Sequence, residues 1–498
     1  MGGRKIAMVK SAEVKKMGDV LSVASECAPL VKTGGLADVV GALPSGLAKE
    51  GWRLRTFLPA YPGLTDRLKN SKVVWSAKNL FGGPAQVVAG STAKTDGALD
   101  MLLLRAPHLY DRAGSIYLNS KGKDWADNPQ RFAALSWVAA EISRTGLSDA
   151  WRPNILQAHD WQAGLAPAYL AYAGTKDVAS LITIHNIAFQ GLAPAKLLKT
   201  LRLPADQFVR DGFEYWGKIS SLKAGLMTAD AITTVSPTYA QELLDPEFGM
   251  GLEGVIGLKR DRLFGILNGV DLKTWNPKTD GDILHPYGTR DLSVKSKNTK
   301  ALEQEFGLHR GAGPLFAVIS RLTHQKGLDL VLETLPTLVG RGGRLIVLGS
   351  GDVELERAFK KAAKDHPGQV AVNIGYDEAQ SHRIYAGADV MMVPSRFEPC
   401  GLTQMYALRY GTLPLVSRTG GLADTVIDAD DAAIRAGVAT GVQVAPNRSD
   451  ALELGIRRMC DLFANRLLWV KLQKRAMTQP LGWGQSAKSY STLFKNLL

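Results

Sequence analysis

The segment Pro394–Thr403, with the sequence Pro-Ser-Arg-Phe-Glu-Pro-Cys-Gly-Leu-Thr, carries the densest set of residues that could do chemistry. An apolar run ends just before it, and Glu398 falls on the turn before a helical pattern that begins at Gly401. The N-terminus of such a helix offers backbone N–H groups to a phosphate. A carboxylate beside that anion could bind sugar hydroxyls or stabilise positive charge at an anomeric carbon. The alternative is that Glu398 only stabilises the helix dipole.

Cys400 stands next to the expected helix start, where a thiol can have a lowered pKa. A thiol nucleophile would also need a general base, and the neighbouring sequence offers none. We therefore expect Cys400 to lie close to the reacting groups rather than to attack the substrate.

Two cations, Arg321 and Lys326, follow the apolar run Leu315–Ser320. An arginine can bind two phosphate oxygens at once and a lysine adds a point charge, so the pair suits a diphosphate leaving group. The next apolar run ends in the turn Gly349–Asp352, which we expect at the same sheet edge. This second turn favours a phosphate site over two solvated side chains.

Lys32-Thr-Gly-Gly precedes another helical pattern, and its two glycines permit a tight turn close to a ligand. With Lys32, the turn could hold a phosphate or sugar phosphate, although it is neither a Walker A loop nor a dinucleotide fingerprint. A plain turn with a solvated lysine is the alternative. Six consecutive residues of this motif, Thr33–Asp38, recur as Thr419–Asp424, which indicates common strand-turn-helix geometry at both places.

Polar residues also end two successive apolar runs, as His159-Asp160-Trp161 and as His185. Side chains at strand ends of a doubly wound sheet point toward the ligand. Asp160 could hold a sugar hydroxyl or assist deprotonation of an acceptor, and His185 could bond a hydroxyl. Alternatively, His159 is a core histidine and Asp160 a helix N-cap. Asn268, before a glycine, is either a ligand contact or part of a plain turn.

The elements that must position these residues are short, nearly continuous apolar runs alternating with amphipathic segments. Such runs are typical of strands covered by helices on both faces, so we predict an α/β fold with parallel, doubly wound sheets. The predicted strands are Val20–Ser25, Leu54–Pro59, Met101–Ala106, Ile155–His159, Leu181–His185 and Ile232–Val235, then Phe264–Leu267, Leu315–Ser320, Leu345–Leu348, Val370–Ile374, Val390–Pro394 and Leu413–Val416.

The runs form two series, and a polar stretch near residues 259–262 separates them. We predict two Rossmann-like domains, residues 1–262 and 263–478, whose facing sheet edges enclose a cleft and which close about a hinge. Residues 479–498 are predicted to form a helix that packs back on the first domain, and residues 1–16 to be an N-terminal extension.

Composition excludes several classes of protein. The net charge of the 498-residue chain is +13, but Lys and Arg are dispersed beyond the basic N-terminal stretch, which favours an anionic small substrate over nucleic acid. No run of about 18 apolar residues predicts a membrane span, and the start lacks a signal-peptide pattern. Three widely separated cysteines indicate neither a disulfide framework nor a zinc site, so we expect a cytoplasmic protein.

Taken together, these motifs resemble those of bacterial glycogen synthases and plant starch synthases, which form glycosyltransferase family 5 and have the GT-B fold. The resemblance extends from about Val20 to the C-terminus and rests on Lys32–Asp38, His159–Trp161, His185–Gly191, Leu267–Asp271, Ser320–Gly327 and Ser395–Gln404.

The resemblance implies catalytic roles for Glu398, Asp160, His185, Arg321 and Lys326, with Glu398 as the main active-site carboxylate. It also implies substrate-binding roles for Lys32, Gly35, Asp38, Tyr117, Asn268, Tyr376, Cys400, Gly401, Leu402 and Thr403. Within this set, Tyr376 is expected against the adenine, and Tyr117 to reach the cleft from the first domain. Related GT-B families carry a second glutamate eight residues after the first, where this chain has Tyr406.

The function implied is transfer of glucose from ADP-glucose to the non-reducing end of an α-1,4-glucan, with retention of configuration and without cofactor or metal. A UDP-glucose-dependent enzyme and a glucan phosphorylase share the fold, although no motif indicates a lysine bound to pyridoxal phosphate. A nucleotide-dependent dehydrogenase would need a Gly-rich fingerprint after the first strand, where Glu26–Pro29 stands instead. A glucan-binding protein without activity is disfavoured by the many charged candidates.

Overall fold

A computed structural model describes residues 16–92 and 98–498. The chain forms two compact units: the first contains Met1–Ile182, Gln190–Asp230 and Ala487–Leu498, and the second contains Thr183–Phe189 and Ala231–Ser486. Residues 1–15, most of the predicted N-terminal extension, lie outside the described residues, and the domain limits inferred from the sequence stay predictions. No helix among the described residues is long and apolar enough to cross a membrane.

Among its described residues the first unit holds ten strands, six α-helices and the end of a C-terminal helix. The strands are β1 (Gly18–Val23), β2 (Trp52–Pro59), β3 (Leu68–Leu80), β4 (Gly83–Thr92), β5 (Asp100–Arg105), β6 (Ile155–His159), β7 (Ala179–Ile184, ending in the second unit), β8 (Leu192–Pro194), β9 (Glu214–Tyr215) and β10 (Lys218–Ser220). The helices are α1 (Gly35–Ala48), α2 (Pro107–Tyr110), α3 (Asn128–Thr145), α4 (Asp160–Ala163), α5 (Leu165–Tyr172) and α6 (Ser221–Thr228).

Seven strands of the first unit follow the hydrogen-bonded order β7-β6-β1-β2-β5-β4-β3. Strand β1 is parallel to β2 and β6, and β2 is parallel to β5, as the apolar runs predict. The hairpin β3–β4 adds antiparallel strands beside β5, which the sequence analysis missed. Most residues of β3 are exposed, so this strand carries no apolar run.

The second unit holds β11 (Ala231–Thr234), β12 (Leu263–Gly265), β13 (Leu315–Ile319), β14 (Arg344–Gly349), β15 (Val370–Ile374), β16 (Val390–Val393), β17 (Leu413–Ser417) and β18 (Val442–Val444). Its helices are α7 (Pro237–Glu242), α8 (Pro246–Gly249), α9 (Glu253–Gly257), α10 (Lys295–Glu305), α11 (Leu328–Gly340), α12 (Val353–Asp365), α13 (Glu378–Gly387), α14 (Thr403–Arg409), α15 (Gly420–Thr425), α16 (Asp431–Ala436), α17 (Ser449–Ala464) and α18 (Arg466–Met477).

A further helix, α19 (Trp483–Leu497), continues from the second unit into the first. Within the first unit, Trp52 donates an indole hydrogen bond of 2.9 Å to Ser491, and its ring packs edge-on against Phe494. The end of the chain is therefore anchored by a buried aromatic side chain.

The six-stranded sheet of the second unit is parallel throughout, in the order β15-β14-β13-β16-β17-β18. The order runs outward from β13 in one direction and then from β16 in the other, which is the Rossmann pattern. Its switch point lies between β13 and β16, whose inner residues are almost all buried. Ligands of such sheets bind beyond the carboxyl ends of the two strands at the switch point.

One predicted strand has a different partner from the one expected. The run Phe264–Leu267, expected to open the second series, corresponds to β12 and pairs in parallel with β11 rather than with the six-stranded sheet. An apolar run identifies a strand but does not specify which strand it pairs with. The polar stretch at residues 259–262 therefore does not mark the start of a new sheet.

The close packing of β13 and β14 predicts that one glycine, Gly349, does not tolerate substitution. A Cβ at Gly349, the last residue of β14, would lie 1.8 Å from the carbonyl oxygen of Ser320. We expect Gly349→Ala to lower the free energy of unfolding by about 1–3 kcal/mol, because the backbone must shift. Gly340→Ala is the control, since a Cβ there meets no atom within 4 Å. Urea unfolding should change by less than about 1 kcal/mol for the control, and equal effects of both variants would contradict the prediction.

Candidate active site

Glu398 forms a buried ion pair at the switch point of the second unit. It follows β16 and is 6% exposed, and its Oε2 lies 2.5 Å from Nζ of Lys326, which follows β13. Ser395 donates a second hydrogen bond of 2.9 Å to the same oxygen. Burying a carboxylate costs free energy, and proteins tolerate it only when the carboxylate is paired with a cation and hydrogen-bonded. The sequence-predicted catalytic carboxylate and phosphate-binding lysine thus lie in direct contact.

Arg396 ties together the two loops that hold this ion pair. Its backbone N–H donates to the carbonyl of Gln325, one residue before Lys326, at 2.8 Å. Its guanidinium binds both carboxylate oxygens of Asp329 on α11, at 2.8 and 2.6 Å. A bidentate arginine–carboxylate pair fixes orientation as well as distance. The loop after β16 therefore sets the position of the loop after β13.

Two glycines are required by the close approach of these loops. Gly327 has a φ of +65°, and a Cβ there would lie 2.1 Å from the carbonyl oxygen of Pro394. Gly401 has a φ of +69°, and a Cβ there would lie 2.6 Å from the side chain of Gln404 and 3.1 Å from Glu398. Any larger residue would displace the ion pair, because L-residues rarely adopt this backbone region.

Asn268 and Cys400 lie together beside Glu398 in the second unit. Both are buried, and the Cys400 thiol is hydrogen-bonded to the backbone and side chain of Asn268. The Oδ1 atom of Asn268 has no hydrogen-bond partner within the described residues. Buried acceptors are nearly always satisfied, so this atom is suited to accept a hydrogen bond from a ligand hydroxyl.

The expectation of a lowered pKa at Cys400 is wrong. Burial raises the pKa of this thiol to about 12, and the negative charge of Glu398 acts in the same direction. The helix expected at Gly401 begins only at Thr403, so its N-terminus is further from the sulfur than the sequence indicated. Cys400 is therefore a packing and hydrogen-bonding residue and not a nucleophile.

Three further predicted residues stand at strand ends of the second unit. Arg321, after β13, is exposed, so its guanidinium is accessible to an anion. His185 directly follows β7, and burial lowers the pKa of its imidazole to about 3, which keeps it neutral at pH 7. Tyr376, after β15, is 69% exposed and donates to the carboxylate of Glu378 at 3.1 Å. An exposed aromatic ring at this edge can stack on a planar base.

The side chains of Leu402 and Thr403 are engaged with other residues of the second unit. Leu402 packs against the hydrophobic core, and Thr403 hydrogen-bonds to Tyr385. The second unit thus contains these predicted site residues: His185, Asn268, Arg321, Lys326, Tyr376, Glu398, Cys400, Gly401, Leu402 and Thr403.

In the first unit, Glu26 organises the glycine-rich turn, a role that sequence reasoning missed. Its carboxylate accepts hydrogen bonds from Thr33 N–H (2.5 Å), Thr33 Oγ1 (2.6 Å) and Gly34 N–H (3.2 Å). Tyr117 donates to the same carboxylate at 2.5 Å and is 2.7 Å from Ser25 Oγ. Burial, and then the charge of Glu26, hold the pKa of Tyr117 well above its usual value, so it stays a neutral donor. The available signal was a charged residue directly after a buried strand.

Lys32 and Asp38 form a partly exposed ion pair of 2.8 Å around the start of α1. Gly35 is the first residue of that helix, and a Cβ at the preceding Gly34 would meet no atom within 4 Å. The turn is consequently open on this side. The N–H groups of Thr33 and Gly34 are bonded to Glu26, so it is the partly exposed Lys32 ammonium that is accessible to an anionic ligand.

Asp160 follows β6 in a sparsely populated backbone conformation. It is buried, with a φ of +52°, and it is the first residue of α4. A non-glycine residue in this region costs on the order of 1–3 kcal/mol and is found disproportionately at functional sites. The preceding His159 is fully buried, with Nε2 3.0 Å from Ser22 Oγ. It is a hydrogen-bonded core residue, as the alternative interpretation holds.

One group of described residues, Asp280, Asp282 and His382, has the spacing of metal ligands. Asp280 Oδ2 is 2.7 Å from His382 Nδ1 and also accepts a hydrogen bond from Tyr410. The His382 ring is stacked on Trp275 with centroids 4.0 Å apart. Asp280 and His382 therefore already satisfy each other in a structural network, whereas Asp282 is exposed. That the protein needs no metal stays a prediction.

Tyr406 stands where related families carry a second glutamate. Its ring is stacked on Trp275, with the two ring centroids 3.7 Å apart. The position is thus occupied by an aromatic cluster and offers no second carboxylate.

The chain matches two family models. Residues 19–257 match the starch synthase catalytic domain, and residues 300–469 match glycosyl transferases group 1.

Curated relatives match over almost their full length. The chain is 56% identical over 481 residues to a glycogen synthase of Cereibacter sphaeroides (strain ATCC 17025 / ATH 2.4.3), covering 97% of this chain and 99% of the relative. It is 55% identical over 479 residues to a glycogen synthase of Paracoccus denitrificans, covering 96% and 99%.

Solved structures agree with this similarity. The catalytic domain of starch synthase IV from Arabidopsis thaliana, bound to ADP and acarbose, superposes with a TM-score of 0.85 at 30% identity, covering 96% of this chain and 99% of that one. A sucrose-phosphate synthase from Thermosynechococcus elongatus shares the fold, with a TM-score of 0.59 at 17% identity, covering 97% and 99%. The GT-B fold expected from the sequence is confirmed.

The buried thiols predict slow alkylation of the folded protein. Burial raises the pKa of Cys27 and Cys400 to about 12 and that of Cys460 to about 11. At pH 8, thiolate is therefore scarce at all three, and iodoacetamide should modify them at least about tenfold more slowly than a free cysteine. Intact-mass spectrometry measures the rate, with the urea-unfolded chain as control. Rapid labelling of Cys400 in the folded protein would contradict its assignment as a packing residue.

Proposed function

The chain belongs to the family of bacterial glycogen synthases and starch synthases and is a glycosyltransferase, and on this premise we propose that it transfers glucose from ADP-glucose to the non-reducing end of an α-1,4-glucan. The observation that carries the proposal is the buried pair of Lys326 and Glu398 at the switch point of a Rossmann-type sheet. Cation and carboxylate stand together where a sugar diphosphate would bind.

In this proposal, the two cations of the loop after β13 neutralise the leaving diphosphate. Lys326 lies at the ion pair, and the exposed Arg321 supplies a planar, bidentate group for the phosphate oxygens. Negative charge grows on the diphosphate as the glycosidic bond breaks. Positioned donors that meet this charge stabilise the transition state more than the ground state.

Glu398 has the complementary task at the glucosyl group. Positive charge develops at the anomeric carbon during transfer, and an oriented carboxylate stabilises it. Ser395 and Lys326 fix the orientation of this carboxylate through one of its oxygens. The unpartnered Oδ1 of Asn268 suits a hydroxyl of the same sugar. Retention of anomeric configuration is part of the proposal.

The remaining contacts come from both units. Tyr376, with its exposed ring, would stack on the adenine, and neutral His185 would bond a sugar hydroxyl. In the first unit, the open turn around Lys32 would bind the donor, and strained Asp160 would hold a hydroxyl of the glucosyl group or of the acceptor. Tyr117 would meet the substrate as a neutral hydrogen-bond donor.

Donor, cofactor and location complete the proposal. ADP-glucose is favoured as the donor because the similar starch synthase IV was solved with ADP. In this proposal, Arg321, Lys326 and backbone N–H groups take the place of a metal ion at the diphosphate. No organic cofactor is proposed. Three cysteines without disulfide bonds suit the reducing cytoplasm.

The first experiment compares transfer of labelled glucose to glycogen from ADP-glucose and from UDP-glucose, with a chelator present. We expect rapid transfer from ADP-glucose, at least about tenfold faster than from UDP-glucose if the base contributes about 1.4 kcal/mol. Preference for UDP-glucose would overturn the donor assignment but not the reaction class. Loss of activity with the chelator would contradict metal independence, and no transfer from either donor would contradict the proposed reaction.

Glu398→Gln tests the catalytic carboxylate without changing its shape. Loss of an oriented charge opposite a developing charge typically costs about 10²–10³ in kcat, and we expect a decrease of that size. Glu354→Gln is the matched control, because Glu354 is exposed in the first turn of α12. The two variants should have the same circular dichroism at 25 °C, but Glu398→Gln should unfold at a lower midpoint than the control, because Lys326 loses its charged partner. An unchanged kcat in Glu398→Gln would remove Glu398 from the mechanism.

A further inference from the structure

The second copy of the Thr-Gly-Gly motif lies directly against the loop that carries Glu398. Gly421 N–H donates to the carbonyl oxygens of Glu398 (3.1 Å) and Pro399 (3.2 Å). Gly420 has a φ of +42°, and a Cβ there would lie 2.0 Å from the carbonyl oxygen of Glu398. A Cβ at Gly421 would lie 2.2 Å from that of Cys400. The motif therefore supports the backbone of the loop that carries Glu398, which we call the catalytic loop.

A glutamate fixes this turn. Glu242, the last residue of α7, accepts hydrogen bonds through Oε1 from Thr419 Oγ1 at 2.8 Å and from Gly420 N–H at 2.9 Å. Hydrogen bonds to a carboxylate are roughly twice as strong as those between neutral groups. The turn is thus held through the residues directly before Gly421.

Helix α7, which carries Glu242, is in turn fixed by the second copy of the motif. Asp424, in α15, accepts from Thr238 N–H at 2.8 Å and from Thr238 Oγ1 at 2.7 Å, at the start of α7. Ser236, the N-cap of α7, donates to the carbonyl of Pro399 at 2.7 Å. Helices α7 and α15 therefore anchor each other's N-termini, and the residue after Glu398 is bonded to both of them.

A glutamate fixes the turn in both copies of the motif, but the two turns face different neighbours. In the first copy, Glu26 bonds the hydroxyl of Thr33 and the N–H of Gly34, as Glu242 does for Thr419 and Gly420. The first turn is open beside Gly34, whereas the space of the second turn is filled by the loop of Glu398. A ligand cradle in one unit thus corresponds to a support for the catalytic carboxylate in the other.

We propose that Glu242 is a positioning residue for Glu398: it holds the Thr419–Gly420 turn, and through Gly421 this turn fixes the backbone of the catalytic loop. The proposal rests on the transfer reaction proposed above. Glu242 does not touch the reacting atoms, and the direct side-chain contacts of Lys326 and Ser395 with Glu398 do not involve it. Its loss should consequently disturb the orientation of Glu398 more than the binding of the nucleotide.

The test measures kcat for transfer and Kd for ADP in Glu242→Ala and Glu242→Gln. Glu242→Ala should lower kcat at least tenfold while Kd for ADP stays within twofold. Glu242→Gln should recover most of the activity, because it keeps an acceptor at Oε1. Asp430→Ala is the matched control: it removes a carboxylate that caps α16 through a 2.7 Å hydrogen bond from Ala433 N–H, a bond that does not involve the loop of Glu398. Its kcat should stay within twofold of wild type.

An unchanged kcat in Glu242→Ala would overturn the proposal, as would equal losses in Glu242→Ala and Asp430→Ala or a parallel loss of ADP affinity. If Glu242→Ala does not fold, Thr419→Val removes one of the two donors to Glu242 and should still lower kcat about threefold or more. An inactive wild-type protein would refute the transfer reaction itself, whereas an active wild type with unaffected variants would refute only the role of Glu242.

Discussion

The buried pair of Lys326 and Glu398 is the constraint on which the arrangement of the second unit depends. A carboxylate placed at a sheet switch point would be strongly destabilising without a partner, and the lysine lies 2.5 Å away. The pair requires the loops after β13 and β16 to approach each other within backbone contact. Gly327 makes that approach possible, and Arg396 holds it through Asp329. Removing one partner would leave the other as an unpaired buried charge.

The parallel sheet explains why these groups meet although 72 residues separate them in the chain. In the order β15-β14-β13-β16-β17-β18, the crossover connections leave β13 and β16 in opposite directions, so their following loops share one crevice. The same topological feature in the first unit places the loops after β1 and β6, with Glu26 and Asp160, next to each other at an edge of that sheet. Each unit thus brings polar side chains together at a sheet edge by the same rule.

Much of this was predictable, since strands covered on both faces are continuous apolar runs; β6 and β15 have the limits that their sequences indicate. The exposed strand β3 and the three-residue strand β18 leave no such signal. The sequence motifs identified Glu398 and Lys326, but not the more distant residues that hold their loops in place. Glu242 lies 177 residues from Thr419, and no local pattern marks a residue whose partner is defined only by the fold.

Unlike Glu398, the two glutamates that fix the Thr-Gly-Gly turns, Glu26 and Glu242, are oriented by turn hydroxyl and backbone N–H donors rather than by countercharges. In a chain of net charge +13, Glu26 and Glu242 each bond a threonine hydroxyl and a glycine N–H of a tight turn, and neither depends on a lysine or arginine for these contacts. Backbone donors belong to rigid loops, so they hold a carboxylate in one place without the side-chain entropy of a long cation. The exposed Arg321 can then meet the phosphates of a substrate. This division of tasks accounts for an acidic scaffold within a basic enzyme.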